Sequence, residues 1–179
     1  MLFNSIEFLI FFPIVTLLYF LLPHKFRWFL LLASSCVFYM FFKIIYIFIL
    51  FFTIVIDYFA GILIEQAATK KKKKMFLLMS LVANIGVLAV FKYYNFFNDN
   101  LGGLFHLFGS SNPIPYLDII LPIGLSFHTF QAMSYTIEVY RGHKAERNFG
   151  IYALYVMFYP QLVAGPIERP QNVLHQFYE

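Results

Sequence analysis

The sequence predicts an all-α, polytopic transmembrane protein with about five spans and a broken or re-entrant sixth segment. Hydrophobic residues make up 61% of the 179 residues, charged residues only 12%, and the mean hydropathy is +0.73. Soluble domains carry about 25% charged residues, and a 21.1 kDa chain has too little interior to hide so much apolar surface. Apolar runs long enough to cross a bilayer as a helix recur along the chain. We therefore expect the lipid bilayer as a partner and no binding of nucleic acid.

The apolar runs define the predicted elements in order. The spans cover residues 5–22, 26–42, 44–64, 75–97 and 118–140, and the broken segment covers residues 149–165, all within one domain of residues 1–179. Residues 98–116 contain three glycines and two prolines and are predicted as a loop. Pro160 interrupts the last segment because it lacks a backbone donor. That segment is either re-entrant and cavity-lining or simply kinked at the interface, since irregular backbone at membrane depth must be buried by protein or line a cavity.

The distribution of basic residues predicts the orientation in the cell membrane. The five lysines of residues 70–74 and the loop with Arg141, Lys144 and Arg147 should be cytoplasmic, whereas residues 98–116 contain no lysine or arginine and should face outside. Strict alternation then places the N-terminus outside. The first run has no basic start and no cleavage site, so we expect it to be retained as a span. The lysines either set topology and contact lipid headgroups or recruit anionic lipid or an acidic carrier protein.

The fifth span carries one polar stripe. Gly124, His128, Gln131, Tyr135 and Glu138 are spaced 4, 3, 4 and 3 residues apart, which places them on one helix face. A charged group at bilayer depth costs at least about 2.5–3.5 kcal/mol, so the stripe should point into the protein. It is either a hydrogen-bonded seam between helices or the lining of a substrate channel. Within it, His128 is a candidate for a catalytic base.

Three other polar features lie within the apolar runs. Asp57, in the third span, is either a structural partner for a buried polar group or part of a proton relay. Cys36 is the single cysteine and excludes an internal disulfide, so we expect it to be packed and inert. The five histidines lie on different elements without ligand spacing, so the sequence predicts neither a metal site nor a cofactor.

Several motifs in this order resemble the membrane-bound O-acyltransferases, in particular their bacterial alginate O-acetyltransferase and teichoic-acid D-alanyl-transfer branch. The motifs are Ile56-Asp57-Tyr58 with Gly61, the run Leu-Pro-Ile-Gly-Leu-Ser-Phe-His-Thr-Phe-Gln at residues 121–131, and the run Tyr-Pro-Gln-Leu-Val-Ala-Gly-Pro-Ile at residues 159–167, followed by Arg169-Pro170. The resemblance covers essentially the whole chain, as the N-terminal part of such a protein.

The resemblance implies transfer of an acyl group, foremost acetyl, to hydroxyls of an exported polysaccharide or cell-wall polymer. The donor would be a cytoplasmic thioester, either acyl-CoA or an acylated carrier protein, and other acetylation-system proteins would be partners. Pro160, Gln161, Gly165, Pro166 and Arg169 would join the stripe of the fifth span as tunnel-lining residues.

The family's invariant histidine, thought to activate the acceptor hydroxyl, lies well beyond Arg169-Pro170, and His128 does not match it. The resemblance therefore places the catalytic residue beyond Glu179, and we expect no acyl transfer by these 179 residues alone. The residues by themselves leave a second possibility open. A polar stripe and a broken helix are also typical of transporters, so a non-catalytic transport or scaffold component is the alternative.

Overall fold

A computed structural model describes residues 3–41, 44–107, 109, 114–116, 124–162, 165–166 and 168–178, in which every regular element is helical. A short 3₁₀ turn, Leu174–Phe177, follows the last α-helix. The predicted all-α class is therefore confirmed. The helices, in chain order, are α1 Ile6–Leu21, α2 His24–Met40, α3 Ile45–Gln66, α4 Lys70–Leu107, α5 Leu125–Tyr140, α6 Phe149–Met157, α7 Tyr159–Leu162 and α8 Pro170–Val173.

Two helices of the described ranges, α3 and α4, are long and apolar enough to cross a membrane by length and composition. They contain 22 and 38 residues, or about 33 and 57 Å at 1.5 Å per residue, against a hydrocarbon core of about 30 Å. Helix α1 is apolar but has only 16 residues. These helices support a location in the membrane, and the number of spans stays a prediction.

The helices pack as two joined groups. Helices α3, α4 and α5 contact one another, while α2 packs against both α1 and α6. The short helix α6 is the most enclosed element, because all residues from Ile151 to Met157 are buried. An aromatic cluster of Phe11, Phe38 and Tyr159 joins α1, α2 and α7, with ring centroids 5.5–6.3 Å apart.

The fourth helix differs most from its prediction. Helix α4 begins at Lys70, five residues before the predicted span, and continues to Leu107, so the prediction of a loop from residue 98 is wrong for residues 98–107. Thr69 starts the helix by accepting a hydrogen bond from the Lys72 backbone N–H at 3.3 Å. Gly102 and Gly103 each cost only about 1 kcal/mol relative to alanine, and residues 98–112 contain no proline. Local composition was therefore too weak a signal to end the helix.

The remaining predicted spans agree with the helices to within a few residues where the structure describes them. Residues 42, 118–123 and 163–164 of the predicted segments lie outside the described residues. Helix α5 begins at Leu125, directly after Gly124, which has a φ of 83°. Cys36 is half-buried in α2, as a packed residue would be.

Candidate functional site: a polar seam beside a broken helix

Asp57 joins three helices at the centre of the described bundle. Its side chain is buried and accepts hydrogen bonds from Ser80 Oγ at 2.5 Å and from Asn84 Nδ2 at 2.8 Å. Ser80 in turn lies 3.4 Å from Thr136 Oγ1, so α3, α4 and α5 all contribute. Buried polar groups are normally paired in this way, because an unpaired one loses its hydration without compensation. Asp57 thus has the hydroxyl and amide partners of the structural alternative.

The polar stripe of α5 points into the protein. His128, Gln131, Tyr135 and Glu138 are 0%, 6%, 1% and 7% exposed. Gly124, the first residue of the predicted stripe, lies before α5 rather than on its face, and its role as a lining residue stays a prediction. Gly124 precedes the helix in a left-handed conformation, which glycine adopts without the steric cost that a side chain would bring. Four of the five residues therefore form the face.

Two residues of the stripe, His128 and Tyr135, contact α3. His128 Nε2 lies 2.7 Å from Thr53 Oγ1, and Thr53 also donates to the Leu50 carbonyl oxygen at 2.8 Å. Tyr135 packs on Gly61, where an added Cβ would lie 2.7 Å from the Tyr135 ring. The Tyr135 hydroxyl accepts a hydrogen bond from the Glu146 backbone N–H at 2.9 Å. These contacts are those of a seam between helices.

Glu138 ends the stripe and lines a pocket of about 350 Å³. Its carboxylate accepts from Arg141 at 2.8 Å and from Gln171 Nε2 at 2.7 Å, and it lies 3.4 Å from His143 Nε2. Tyr178 also lines the pocket and donates to Glu146 Oε1 at 2.7 Å. Partial burial, together with the Glu146 carboxylate, raises the pKa of Tyr178 above its usual value, so this hydroxyl stays protonated as a donor.

The last apolar segment is broken, as predicted, but the break falls at Phe158. Helix α6 ends at Met157, Phe158 has a ψ of 111°, and a one-turn helix restarts at Tyr159. The ring of Pro160 is incompatible with the carbonyl four residues earlier, which explains a break before the proline. The Tyr159 N–H released by the break donates to Ser35 Oγ of α2 at 3.2 Å. The irregular backbone is therefore buried by protein, which membrane depth requires.

The tunnel-lining candidates separate into two places. His128, Gln131, Gln161 and Pro166 line one small cavity, whereas Tyr135 and Glu138 line the pocket at the end of α5. Gly165 packs so tightly that an added Cβ would lie 2.6 Å from Gln161 Cα. The remaining three candidates, Gly124, Pro160 and Arg169, line neither of these cavities. In the described ranges, no three histidine, cysteine, aspartate or glutamate side chains form a group that could hold a metal ion.

The expected position of the catalytic residue is beyond the C-terminal end of the described bundle. The described residues end at Tyr178, and Glu179, after which the catalytic histidine is expected, lies outside them. The placement of that histidine beyond Glu179 therefore stays a prediction. Within the described ranges, His128 is the buried histidine of the stripe, and its partner is a threonine hydroxyl rather than a carboxylate.

Sequence reasoning did not find the hydrogen-bond partners of Asp57 or the ion pair at the end of α3. Ser80 and Asn84 are four residues apart in an apolar span, and that spacing on one helix face was the available signal. Glu65 and Arg147 form an ion pair between the end of α3 and the loop after α5. Nothing local indicated this pair, because its members are 82 residues apart.

An apolar helical bundle with a buried polar seam and a broken, protein-covered helix is typical of membrane-embedded proteins. Over 99% of its length, the chain is 37% identical to a probable alginate O-acetylase of Azotobacter vinelandii and 36% identical to one of Pseudomonas aeruginosa. Over 82% of its length, it is 32% identical to a peptidoglycan O-acetyltransferase of Helicobacter pylori. These relatives confirm the resemblance to the alginate O-acetylase branch of the membrane-bound O-acyltransferases.

The match covers only part of each relative. The chain spans about a third of the length of the curated relatives it matches, namely 36%, 34% and 32% of the three proteins above. No family model matches the chain, and no solved structure matches it significantly.

Proposed function

We propose that this chain forms part of a membrane-embedded O-acyltransferase that modifies an exported polysaccharide such as alginate. One observation carries the proposal: the similarity to alginate O-acetylases extends over 99% of the chain. The transferred group is foremost acetyl, as the names of these relatives and of the peptidoglycan O-acetyltransferase suggest. The donor is a cytoplasmic thioester, and other proteins of the acetylation system bind the assembled enzyme.

The proposed arrangement has five spans and a re-entrant sixth segment, with the N-terminus outside. Two contacts support a common side for the basic segments. Arg147 pairs with Glu65 at the end of α3, and the Arg147 carbonyl oxygen accepts a hydrogen bond from Tyr58. The lysine run begins only four residues after Gln66. Both basic segments therefore lie at one end of the bundle, which we assign to the cytoplasm.

In the proposed reaction, a base removes the proton of the acceptor hydroxyl, and the resulting oxygen attacks the thioester carbonyl. The acyl–oxygen bond forms, the carbon–sulfur bond breaks, and the thiol leaves. We place the base beyond Glu179 and assign wall positions within this chain. His128 is fully buried and held by Thr53, so it is better suited to shaping the wall together with Gln131 and Gln161.

A chimera tests the function. The aligned segment of the Azotobacter vinelandii relative is replaced by this chain and expressed in a strain lacking that relative. We expect acetyl esters on the secreted alginate, with the unmodified relative as the positive control. Unacetylated alginate from a chimera present in the membrane at normal levels would contradict the proposal. Restored secretion without acetylation would favour the transport or scaffold alternative.

A further inference from the structure

We propose that a single water molecule binds in the cavity beside the broken helix, held by His128, Gln131 and Gln161. Three atoms of these side chains are fully buried, namely His128 Nδ1, Gln131 Nε2 and Gln161 Oε1. None of them makes a well-aligned hydrogen bond to a residue that the structure describes, although the Val156 backbone lies close to His128. All three side chains line the same cavity. The site does not depend on the proposed acyl transfer.

The size of the cavity selects the ligand. Its volume is about 10 Å³, which is close to the minimum that a water molecule needs. Phe127, Tyr155, Val156 and Pro166 line the rest of the cavity. A buried water typically makes two to four hydrogen bonds to polar groups that are otherwise unpaired, and this cavity offers three.

The donors and acceptors match those of one water molecule. Thr53 donates its hydroxyl hydrogen to the Leu50 carbonyl, and we assign the hydrogen shared between His128 and Thr53 to His128 Nε2. Nδ1 of the neutral ring is then an acceptor. The water donates to His128 Nδ1 and to Gln161 Oε1, and it accepts from Gln131 Nε2.

The site connects α5 to the restarted helix α7. Pro160 cannot donate to the Val156 carbonyl as an ordinary residue at that position would, so the break lacks one helical hydrogen bond. The Ser35–Tyr159 bond attaches one side of the break to α2. The water would attach the other side to α5 through Gln161.

The first test compares Gln131→Met, Gln161→Met and the double variant of the full chain in lipid nanodiscs. Each single change removes a ligand of the water, so we expect the melting temperature to fall by about 2–4 °C. The double variant should fall little further, because one change already releases the water. Gln176→Met, at an exposed position outside this cavity, is the control and should leave the melting temperature nearly unchanged.

Without the water, Gln131 Nε2 and Gln161 Oε1 are buried and unpaired, and methionine should raise the melting temperature. A rise in either single variant, or additive losses in the double variant, would therefore overturn the proposal. The second test uses solid-state NMR of the histidine-¹⁵N-labelled chain, with His128→Gln to assign the signal. We expect an Nε2–H ring whose Nδ1 receives magnetisation from water. A protonated Nδ1, donating to a carbonyl such as that of Val156, would also overturn it.

Discussion

At the residue scale, the contact between α3 and α5 depends on a glycine, because a side chain at that position would not fit. Gly61 lies directly under the Tyr135 ring, and a Cβ there would be 2.7 Å from Tyr135 Cε1 and 2.9 Å from its hydroxyl oxygen. Moving the ring away would break the hydrogen bond that the Tyr135 hydroxyl accepts from the Glu146 backbone N–H. By contrast, Gly86 on α4 has nothing within 4 Å of a Cβ position.

These two glycines predict substitutions of opposite sign. Gly61→Ala should lower the free energy of unfolding by about 1–3 kcal/mol, because it overpacks a well-filled contact. Gly86→Ala should raise it by up to about 1 kcal/mol, because alanine is the better helix former in open space. Thermal or denaturant unfolding of both variants in the same detergent measures the difference. Equal effects of the two changes would show that Tyr135 does not pack on Gly61 as described.

At the element scale, the break between α6 and α7 is the feature that distinguishes this bundle from a set of plain spans. The backbone leaves the helical conformation at Phe158, and the freed N–H of Tyr159 donates to Ser35 Oγ. This hydrogen bond fixes the backbone at the break to α2. The cavity lined by His128 and Gln161 lies beside the break.

We expect Pro160→Ala in the chimera to reduce alginate acetylation more than His128→Gln does, with normal membrane levels of both variants. Alanine supplies the missing N–H, so the helix continues from α6 through residues 161–164 and reshapes the cavity wall. His128→Gln should slow transfer if the stripe lines a path. It should be nearly silent if the stripe is only a seam, because intramembrane hydrogen bonds average about 0.6 kcal/mol. Wild-type acetylation in Pro160→Ala would mean that the break is an incidental kink.

At the scale of the whole molecule, the charge distribution and the contacts both place the two basic segments at one end of the helical bundle. The lysine run and the loop containing Lys144 both adjoin the C-terminal end of α3 through sequence proximity and the Glu65–Arg147 pair. Lys72 is exposed, and the Lys144 side chain makes no described hydrogen bond or ion pair, so both positions suit substitution by cysteine.

This arrangement predicts the result of cysteine labelling in intact cells. In a Cys36→Ala background, single cysteines replace Lys72, Ser110 and Lys144, of which Ser110 lies outside the described residues. An impermeant thiol reagent added outside should label the cysteine at position 110 and neither of the others, because positively charged loops remain cytoplasmic. Labelling at position 72 from outside would reverse the proposed orientation.

The sequence by itself determined the class of protein, the presence of most helices and the inward face of α5. These are local properties, since apolar content selects the solvent and a spacing of three and four residues selects a helix face. It also indicated that the last segment is broken, because a proline cannot donate its N–H wherever it stands. Asp57 was correctly singled out on the same grounds, as a charge in an apolar run.

Only the tertiary structure decided which groups meet. Asp57 pairs with Ser80 and Asn84 on another helix, Glu65 pairs with Arg147 across 82 residues, and Ser35 caps the break from α2. It also placed the break at Phe158 and carried α4 past residue 98. No local pattern contains this information, because each pairing depends on how separate helices pack, and packing reflects the shape and burial of all of them together.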